Sequence, residues 1–501
     1  MGRRFAGAAL VSLGIVALLF AMPQHSARKG GRATADTPRF RFADVASRYG
    51  LDVESRTWGA AWADRDLDGD PDLLVGRHWG YPLLFRNEDG LHPERYRDLR
   101  RNGLDRHACA WGEADGDGLP DLYCVRGADK GRGDGHNQLL VNERGRLVNR
   151  APSLGLADEQ GRGRTVNWID YDTDGDLDIF VGNMARRGHP NVMFRNDRGS
   201  WARAEVGLSH EVWTISSAWA DWDVDGDPDL LVLQSEDRSS IAYENVGGRF
   251  VEVAIPRITD RSWSASAWAD FDGDGRMDVH LVDDDAALLL RNTTGGFVPV
   301  HHMWLAHGRM SAWLDADNDS RLDLFVVQGA PGNHPVVGAI NQPDFLIVQG
   351  RGGFFRYQRP SFAGPRAGNG DAVALADHDG DGRVDALVTN GLFHWSGTSS
   401  LLENRSAAGN AIEVRLRGGR RNPFGLGAKV TVTTTSARQI RLVTDSFNFR
   451  TQSDPGFVHA GLGEERLARV EVVWPDGSRD CTIVVAGSPV FLDKGSGACA
   501  R

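Results

Sequence analysis

The chain has 501 residues, 41% hydrophobic, and 61 of them are glycine, which is typical of a globular protein large enough for more than one domain. Its formal net charge of −11, with no basic helix and no RNA-binding signature, argues against a nucleic-acid partner. The sequence contains no nucleophile elbow, phosphate-binding loop, dinucleotide fingerprint or paired-histidine zinc helix, so no common motif assigns an enzyme class.

The N-terminus has the pattern of an export signal. Arg3 and Arg4 precede an apolar span at residues 5–22, which as a helix would be about 27 Å long, close to a roughly 30 Å bilayer core. No small-residue cleavage site follows, so a cleaved signal peptide and an uncleaved membrane anchor both remain open. We assign residues 1–35 to this segment and its linker. We expect the rest outside the cytoplasm, whether secreted, periplasmic or membrane-anchored.

An acidic loop defines the next part of the chain, and the stretch "WADWDVDGDPDLLV" at residues 219–232 is its clearest copy. Asp221, Asp223, Asp225 and Asp229 stand at positions one, three, five and nine, and Gly226 stands at position six. This spacing brings oxygen ligands around one hard cation, with the position-seven carbonyl as a further ligand. Short apolar segments flank the loop where an EF-hand would have helices, so we predict two antiparallel strands joined by a calcium loop.

The same loop occurs seven times, and this repetition predicts a β-propeller. The predicted calcium ligands are Asp64, Asp66, Asp68 and Asp72; Glu113, Asp115, Asp117 and Asp121; Asp170, Asp172, Asp174 and Asp178; Asp221, Asp223, Asp225 and Asp229; Asp270, Asp272, Asp274 and Asp278; Asp315, Asp317, Asp319 and Asp323; Asp377, Asp379, Asp381 and Asp385.

Solvated Asp-Gly turns are the alternative to calcium loops, but such a turn needs only two special residues where these loops repeat five. Up to seven calcium ions are therefore expected, and seven divalent ions would change the net charge from −11 to +3. The second and sixth loops are the doubtful ones. The second has Glu113 at its first position, and the sixth has Ser320 where glycine is favoured.

Each repeat also has a second half, in which an apolar strand ends near Asn and a turn leads to another strand. Four strands per repeat predict an all-β, seven-bladed propeller over residues 36–404. The last repeat stops after "LLEN" at 401–404 without a fourth strand. The N-terminal stretch "RFRFADVASRYGLD" at 39–52 supplies a spare strand, so we expect it to complete the seventh blade.

The repeats resemble FG-GAP or VCBS propeller blades, although the literal Phe-Gly and Gly-Ala-Pro signatures are not evident. After residue 404 the acidic loops stop, and "GLGAKVTV", "HAGLG" and "VVWPDG" resemble the ASPIC/UnbV domain. Together the two parts are similar to the cartilage acidic protein family. This resemblance implies an architecture and says little about activity.

The C-terminal segment, residues 405–501, is predicted to be a small β domain with strands at 411–417, 428–434, 438–444, 468–474 and 481–485. Gln452, Ser453, His459 and Asp476 lie within its motifs, and we expect turn or hydrogen-bonding roles for them ahead of ligand contact.

The four cysteines predict two local disulfides, in keeping with export. Cys109 and Cys124 flank the second acidic loop, and Cys481 and Cys499 both lie in the C-terminal segment. Four buried free thiols are the alternative, because sequence alone does not fix pairing.

The end of the propeller opposite the acidic loops is the candidate ligand face. Ten histidines are assigned to its connections, namely His78, His107, His136, His189, His210, His301, His302, His307, His334 and His394. Because connections of adjacent blades converge on the axis, His78, His136, His189, His334 and His394 could meet there. Such a ring could bind a transition metal or an anion, or act in acid–base chemistry, although histidine also collects in exposed loops without function.

The leading hypothesis is an exported calcium-binding module that binds or adheres to a protein or glycan partner through this face. The alternative is a calcium-stabilised enzyme of secondary metabolism, a lyase, isomerase or cyclase, with the histidine-bearing face as its pocket. A deep apolar pocket would favour the enzyme, and a flat polar face would favour binding.

Overall fold

The computed structural model describes residues within one compact unit, Arg39–Arg501. The described residues are 39–53, 55, 57–77, 80–94, 106–127, 136–184, 189–208, 212–235, 237–305, 308–329, 344–358, 360–363, 370–390, 397–444, 450–487 and 489–497. The predicted export segment lies outside them. Within these ranges, no helix has the length and apolarity needed to cross a membrane.

The unit begins with β1 (Arg41–Asp44) and a 3-10 helix at Ala46–Tyr49, and six four-stranded antiparallel sheets follow. Their strands run in sequence order from the inside to the outside. They are β2–β5 (Thr57–Ala63, Asp72–Arg77, Leu83–Asn87, Leu91–Glu94), β6–β9 (Arg106–Gly112, Asp121–Arg126, Gln138–Glu143, Arg146–Asn149), β10–β13 (Gly163–Ile169, Asp178–Asn183, Val192–Asp197, Ser200–Ala204), β14–β17 (Thr214–Ala220, Asp229–Gln234, Ile241–Asn245, Phe250–Val253), β18–β21 (Ala265–Ala269, Asp278–Val282, Ala286–Thr293, Gly296–Trp304) and β22–β25 (Gly308–Leu314, Asp323–Gln328, Phe345–Gln349, Phe355–Gln358). A four-residue helix, α1 (Ala151–Leu154), follows β9.

A further sheet contains the N-terminal strand. It has the order β26-β1-β29-β28-β27, with β26 (Ser361–Ala363), β27 (Gly370–Ala376), β28 (Asp385–Asn390) and β29 (Ser400–Asn404). Strand β1 pairs antiparallel with β29, as predicted for the spare N-terminal strand. Strand β26 adds a parallel outer strand that the sequence pattern did not predict.

The sheets are arranged as the blades of a β-propeller, which confirms the predicted all-β propeller class. The first strands of successive sheets contact one another in turn, and β27 contacts β2, so the series is closed. Bulky and small side chains fit together between blades. The Trp168 indole packs directly on Gly112, where an added Cβ atom would come within 2.1 Å of the ring. The indole N–H donates a hydrogen bond of 3.0 Å to the Ala110 carbonyl.

The C-terminal strands form two further sheets. One has the order β33-β30-β36 and the other β32-β31-β34-β35. Their bounds are β30 (Asn410–Arg417), β31 (Lys429–Thr433), β32 (Arg438–Leu442), β33 (Phe457–Gly463), β34 (Leu467–Val473), β35 (Arg479–Val485) and β36 (Pro489–Asp493). The five strands predicted from sequence are present. Strands β33 and β36 were missed, because β33 contains two glycines that are typical of a turn.

The first predicted disulfide is present. Cys109 and Cys124 are directly opposite in the β6–β7 pair and are covalently linked. Cys481 is also disulfide-bonded. Its expected partner, Cys499, lies outside the described residues, so that pairing stays a prediction.

Candidate metal centres

Each acidic loop joins the first and second strands of a blade and occupies eight residues, from 64–71 in the first blade to 377–384 in the last. Positions four and six have positive φ in every copy, as in Leu67 and Gly69 (63° and 106°) or Val224 and Gly226 (68° and 105°). The sixth loop keeps this form even though Ser320 replaces glycine, with φ of 75°. The sixth loop therefore has the same backbone conformation as the others, although serine replaces the favoured glycine.

Hydrogen bonds from its own backbone hold each loop in this shape. In five of the loops the position-one carboxylate accepts backbone N–H groups from positions five and six, as Asp170 does from Asp174 and Gly175 at 3.0 Å each. In the second loop Glu113 reaches the same region and accepts the Gly116 N–H at 2.6 Å. The longer Glu side chain thus replaces Asp without unfolding the turn.

The position-nine aspartates are buried structural acceptors. Asp229, fully buried, accepts the Trp222 N–H at 3.0 Å on one oxygen and the Asn245 N–H at 3.0 Å on the other. Equivalent bonds recur at Asp121, Asp178, Asp278, Asp323 and Asp385. These carboxylates tie the loop to the end of the third strand, a role that we had not predicted beside metal ligation.

An amide side chain at the end of the third strand links neighbouring blades. Asn245 donates from Nδ2 to the Tyr171 carbonyl of the preceding blade at 2.8 Å, and Asn87 closes the series by donating to His378 at 2.9 Å. Similar bonds come from Asn142, Asn292, Gln349 and Asn404. The sequence signal for these links is the recurrent Asn at the end of the third strand.

The predicted ligands converge within the loops. One carboxylate oxygen from each of Asp64, Asp66 and Asp68 lies within 4.8 Å of the others, and Asp221, Asp223 and Asp225 form an equivalent group. Further groups combine Glu113, Asp115 and Asp121, and Asp170, Asp172 and Asp178. These acidic clusters could each hold a metal ion, including the cluster of the doubtful second loop.

The last loop adds a residue that the sequence reasoning missed. His378, at position two, groups with Asp379 and Asp385, and its Nδ1 lies 2.6 Å from the Asp385 carboxylate. Burial has the largest single effect on the pKa of His378 and lowers it, but the hydrogen bond and charge of Asp385, with the charges of Asp379 and Glu403, together outweigh burial and raise the pKa. The sequence signal was a histidine inside an otherwise standard acidic loop.

Burial makes the loop carboxylates weak acids in the absence of a cation. Desolvation raises the pKa of Asp64 and Asp170 to about 7, and of Asp229 and Asp278 to about 8. Neighbouring carboxylates add to the shift. A bound cation would relieve this penalty by stabilising the ionised form.

Arginines partly balance the outer carboxylates. Arg195 pairs with Asp172 at 2.8 Å, and Arg291 pairs with Asp272 at 2.6 Å, in each case from the third strand of the same blade. In the sixth loop Arg39 pairs with Asp317. Arg39 and Arg195 are exposed and Arg291 is half-exposed, so solvent screens these pairs and they contribute little to stability.

The C-terminal sheets cover the loop end of the propeller. Lys429 and Arg438 donate to the Gly275 and Gly273 carbonyls of the fifth loop at 3.4 and 2.7 Å. The Gly463 N–H donates to the Asn318 carbonyl of the sixth loop at 2.8 Å, and Arg421 pairs with Asp176 of the third loop at 2.7 Å. The loops therefore also form a surface on which this domain docks.

One C-terminal segment, residues 450–454, reaches the innermost strands. The backbone of Gln452 bonds to Ala60 and Trp62, and its side chain donates to the Trp111 carbonyl at 2.8 Å and accepts the Trp111 N–H at 2.7 Å. Ser453 accepts the Leu375 N–H at 3.1 Å, and His459 contacts the Gly382 carbonyl at 3.2 Å. These contacts give Gln452, Ser453 and His459 hydrogen-bonding roles, as expected, and Asp476 accepts from Ser478 within a turn.

We call the end of the propeller opposite the acidic loops the far end. Part of the histidine assignment to this end is wrong. His107 is not in a connection but buried in β6, stacked on Trp58 at 4.5 Å, and His301 and His302 lie in β21. His136 and His189 do lie between strands, as expected. His78, His210, His307, His334 and His394 lie outside the described residues. The histidine ring, and the enzyme hypothesis that depends on it, therefore stay predictions.

Comparison with known proteins supports the resemblance inferred from the motifs. A model of the FG-GAP-like repeat matches residues 114–181, 170–232, 221–281 and 270–326. The propeller contains FG-GAP-like repeats. A model described as ASPIC and UnbV matches residues 403–489.

Curated relatives match over a short segment. Cartilage acidic protein 1 from Mus musculus is 32% identical over 22% of this chain and 17% of its own length, and the Homo sapiens protein is 31% identical over 24% and 18%. Less than a fifth of each of these two relatives is thus matched.

Two solved structures are similar in fold at low identity. Sqt1 from Saccharomyces cerevisiae has a TM-score of 0.45 with 12% identity, covering 73% of this chain and 98% of that one. YCF48 from Cyanidioschyzon merolae has a TM-score of 0.43 with 10% identity, covering 70% and 95%.

Proposed function

We propose that the chain is an exported calcium-binding propeller protein that acts as a binding or adhesion module for a protein or glycan partner. The observation that carries this proposal is the repetition of one loop geometry in every blade, with carboxylate oxygens grouped at its centre. Carboxylates and carbonyls are the hard oxygen donors that calcium prefers. A solvated turn has no need for several buried carboxylates held in the same arrangement.

Calcium in these loops would have a structural role. The carboxylates at positions one, three, five and nine and the carbonyl at position seven would hold the ion. The ion would supply the positive charge that the buried carboxylates otherwise lack. Because the C-terminal sheets donate hydrogen bonds to loop carbonyls, ions in the fifth and sixth loops would also stabilise their docking.

Partner recognition is assigned to the far end of the propeller. The C-terminal sheets occupy the loop end, which leaves the far end as the candidate surface for a protein or glycan. Its connections carry the sequence differences among the blades, and binding residues are commonly placed on such loops over a rigid scaffold. The Cys109–Cys124 disulfide supports the proposed extracytoplasmic location. The assignment of residues 1–35 to a signal or anchor belongs to the same proposal.

Metal analysis of protein purified without added ions tests this proposal. About five to seven calcium ions per chain, with a melting temperature that falls when a chelator is added, would support it. A transition metal at about one per chain, bound through histidine, would contradict it and favour the enzyme hypothesis.

A further inference from the structure

A cavity of about 540 Å³ lies where the fifth and sixth blades meet the C-terminal domain. Its wall includes four arginines, Arg291, Arg321, Arg438 and Arg441, and two carboxylates of the fifth acidic loop, Asp270 and Asp272. Cavities of this size hold small organic ligands. The cavity is at the loop end, so it is distinct from the far end assigned above to partner recognition.

Among the described residues, two of these arginines have no carboxylate at salt-bridge distance. Arg291 pairs with Asp272 and Asp274, and Arg321 with Asp319. Over the part of the chain that the structure describes, Arg438 and Arg441 bond to uncharged acceptors. Arg438 donates to the Gly273 carbonyl at 2.7 Å, while Arg441 donates to Gln439 Oε1 at 2.7 Å and to the Ile440 carbonyl at 3.1 Å.

Arg441 is half-buried in β32, and removing a guanidinium from water without an anionic partner costs free energy. Burial accordingly lowers the pKa of Arg441 to about 10, although Asp315 and Asp270 oppose the shift. An anion in the cavity would offset this cost. A guanidinium also matches the planar geometry of carboxylate and the oxygens of sulfate with paired hydrogen bonds.

The rest of the wall suits an organic body larger than an inorganic ion. Phe271, Val300 and Leu322 provide apolar surface. Gln349, 5% exposed, has a buried Oε1 with no hydrogen-bond donor among the described residues. This oxygen could accept a bond from a ligand hydroxyl, and a sugar offers hydroxyl groups beside its acidic substituents.

We propose that this cavity binds a carboxylated or sulfated sugar, with Arg438 and Arg441 holding its acidic group. The site uses residues of both the propeller and the C-terminal domain, so it exists only when the two are docked. Arg438 and Arg441 determine the preference for acidic ligands, and the cavity volume limits the occupant to about one or two sugar units.

Calorimetric titration of the full chain tests the proposal with four probes, namely digalacturonate, a sulfated disaccharide, neutral lactose and inorganic sulfate. Binding of at least one acidic disaccharide, about tenfold or more tighter than lactose and sulfate, is the expected result, and tenfold corresponds to about 1.4 kcal/mol. Equal binding of inorganic sulfate, or no binding of either acidic disaccharide, would overturn the proposal.

Variants locate the site. Arg438→Gln combined with Arg441→Gln should weaken binding about tenfold or more, while Arg469→Gln combined with Arg479→Gln should leave it unchanged. The control removes the same charge from exposed arginines that pair with Glu471 at 3.7 and 3.3 Å. If the double variant does not fold, Arg438→Gln alone serves, because Arg438 is exposed. Unchanged affinity in a folded Arg438 variant would contradict the assignment.

Discussion

The connections at the two ends of the propeller differ: they repeat at the loop end and vary from blade to blade at the far end. At the loop end, eight residues join the first two strands of every blade, with positive φ angles at the same two positions. At the far end, the connections between second and third strands differ greatly in length, from 283–285 to 329–344. Repetition at one end is what a structural function requires, and variation at the other is typical of recognition.

Calcium removal should have the largest effect, and it acts on the loop end alone. Each site that is saturated at about 100 times its Kd stabilises the folded state by roughly 2.7 kcal/mol. Several filled loops should therefore raise the melting temperature by on the order of 10 °C. Scanning calorimetry before and after chelation measures this, with excess calcium added back as the control. Coincident curves would refute the structural role of the ions.

The pH dependence of the calcium-free protein should be the next largest effect. Burial raises the pKa of Asp64 and Asp170 to about 7 and of Asp229 to about 8, whereas an unfolded Asp titrates near 4. The folded state thus binds more protons between these values. Its stability is fully present below about pH 4 with respect to these groups and is lost as pH rises toward 8.

Urea unfolding at pH 5 and pH 8, with chelator and with calcium, tests whether the stability falls as the pH rises. The calcium-free protein should have a lower midpoint at pH 8. The calcium-loaded protein should lose much less stability between pH 5 and pH 8, because the bound ion already keeps its carboxylates ionised. A calcium-free protein that is more stable at pH 8 would show that these carboxylates are not buried in this way.

Two variants of the fourth loop can distinguish the structural role of a carboxylate from metal binding. Asp229→Ala leaves the Trp222 and Asn245 N–H groups without an acceptor, so it should cost about 3 kcal/mol even without calcium, and more with calcium because the ion also loses a ligand. Asp223→Ala removes an exposed predicted ligand and should lower stability only when calcium is present. Denaturant unfolding of both variants in each condition distinguishes the roles. Equal losses in the calcium-free state would contradict the distinction.

Removing a hydrogen bond between neighbouring blades should have a smaller effect on stability. Asn245→Ala removes the 2.8 Å bond to the Tyr171 carbonyl of the preceding blade, together with the side-chain bonds to Pro228 and Gly248 in its own blade, and should cost about 1–2 kcal/mol. Glu244→Ala, on the same strand, is the matched control, because no hydrogen bond or ion pair of its side chain is described. Unfolding midpoints in urea compare the two variants. An unchanged midpoint for Asn245→Ala would mean that the bond contributes nothing net.

The same contrast explains what the sequence could predict. The acidic loops and the closing strand β1 were predictable, because one spacing repeats in every blade and the last repeat lacks a strand. The double role of Asp229 was not, because its partners Trp222 and Asn245 come together only after the hairpin folds. The docking of residues 450–454 on the inner strands was also beyond prediction, since such contacts between distant segments leave no periodic pattern.

The far-end histidines should give the smallest change in stability. Neither the His136 nor the His189 ring makes a hydrogen bond to a described residue, so His136→Ala combined with His189→Ala should change the free energy of unfolding by no more than about 0.5 kcal/mol. Asn142→Ala in the second blade provides the comparison at the loop end, because its Nδ2 donates to Arg65 of the neighbouring blade. Thermal unfolding of the calcium-loaded variants measures both. A large loss from the histidine pair would mean that the far end also stabilises the fold, and the separation of structure from recognition between the two ends would then fail.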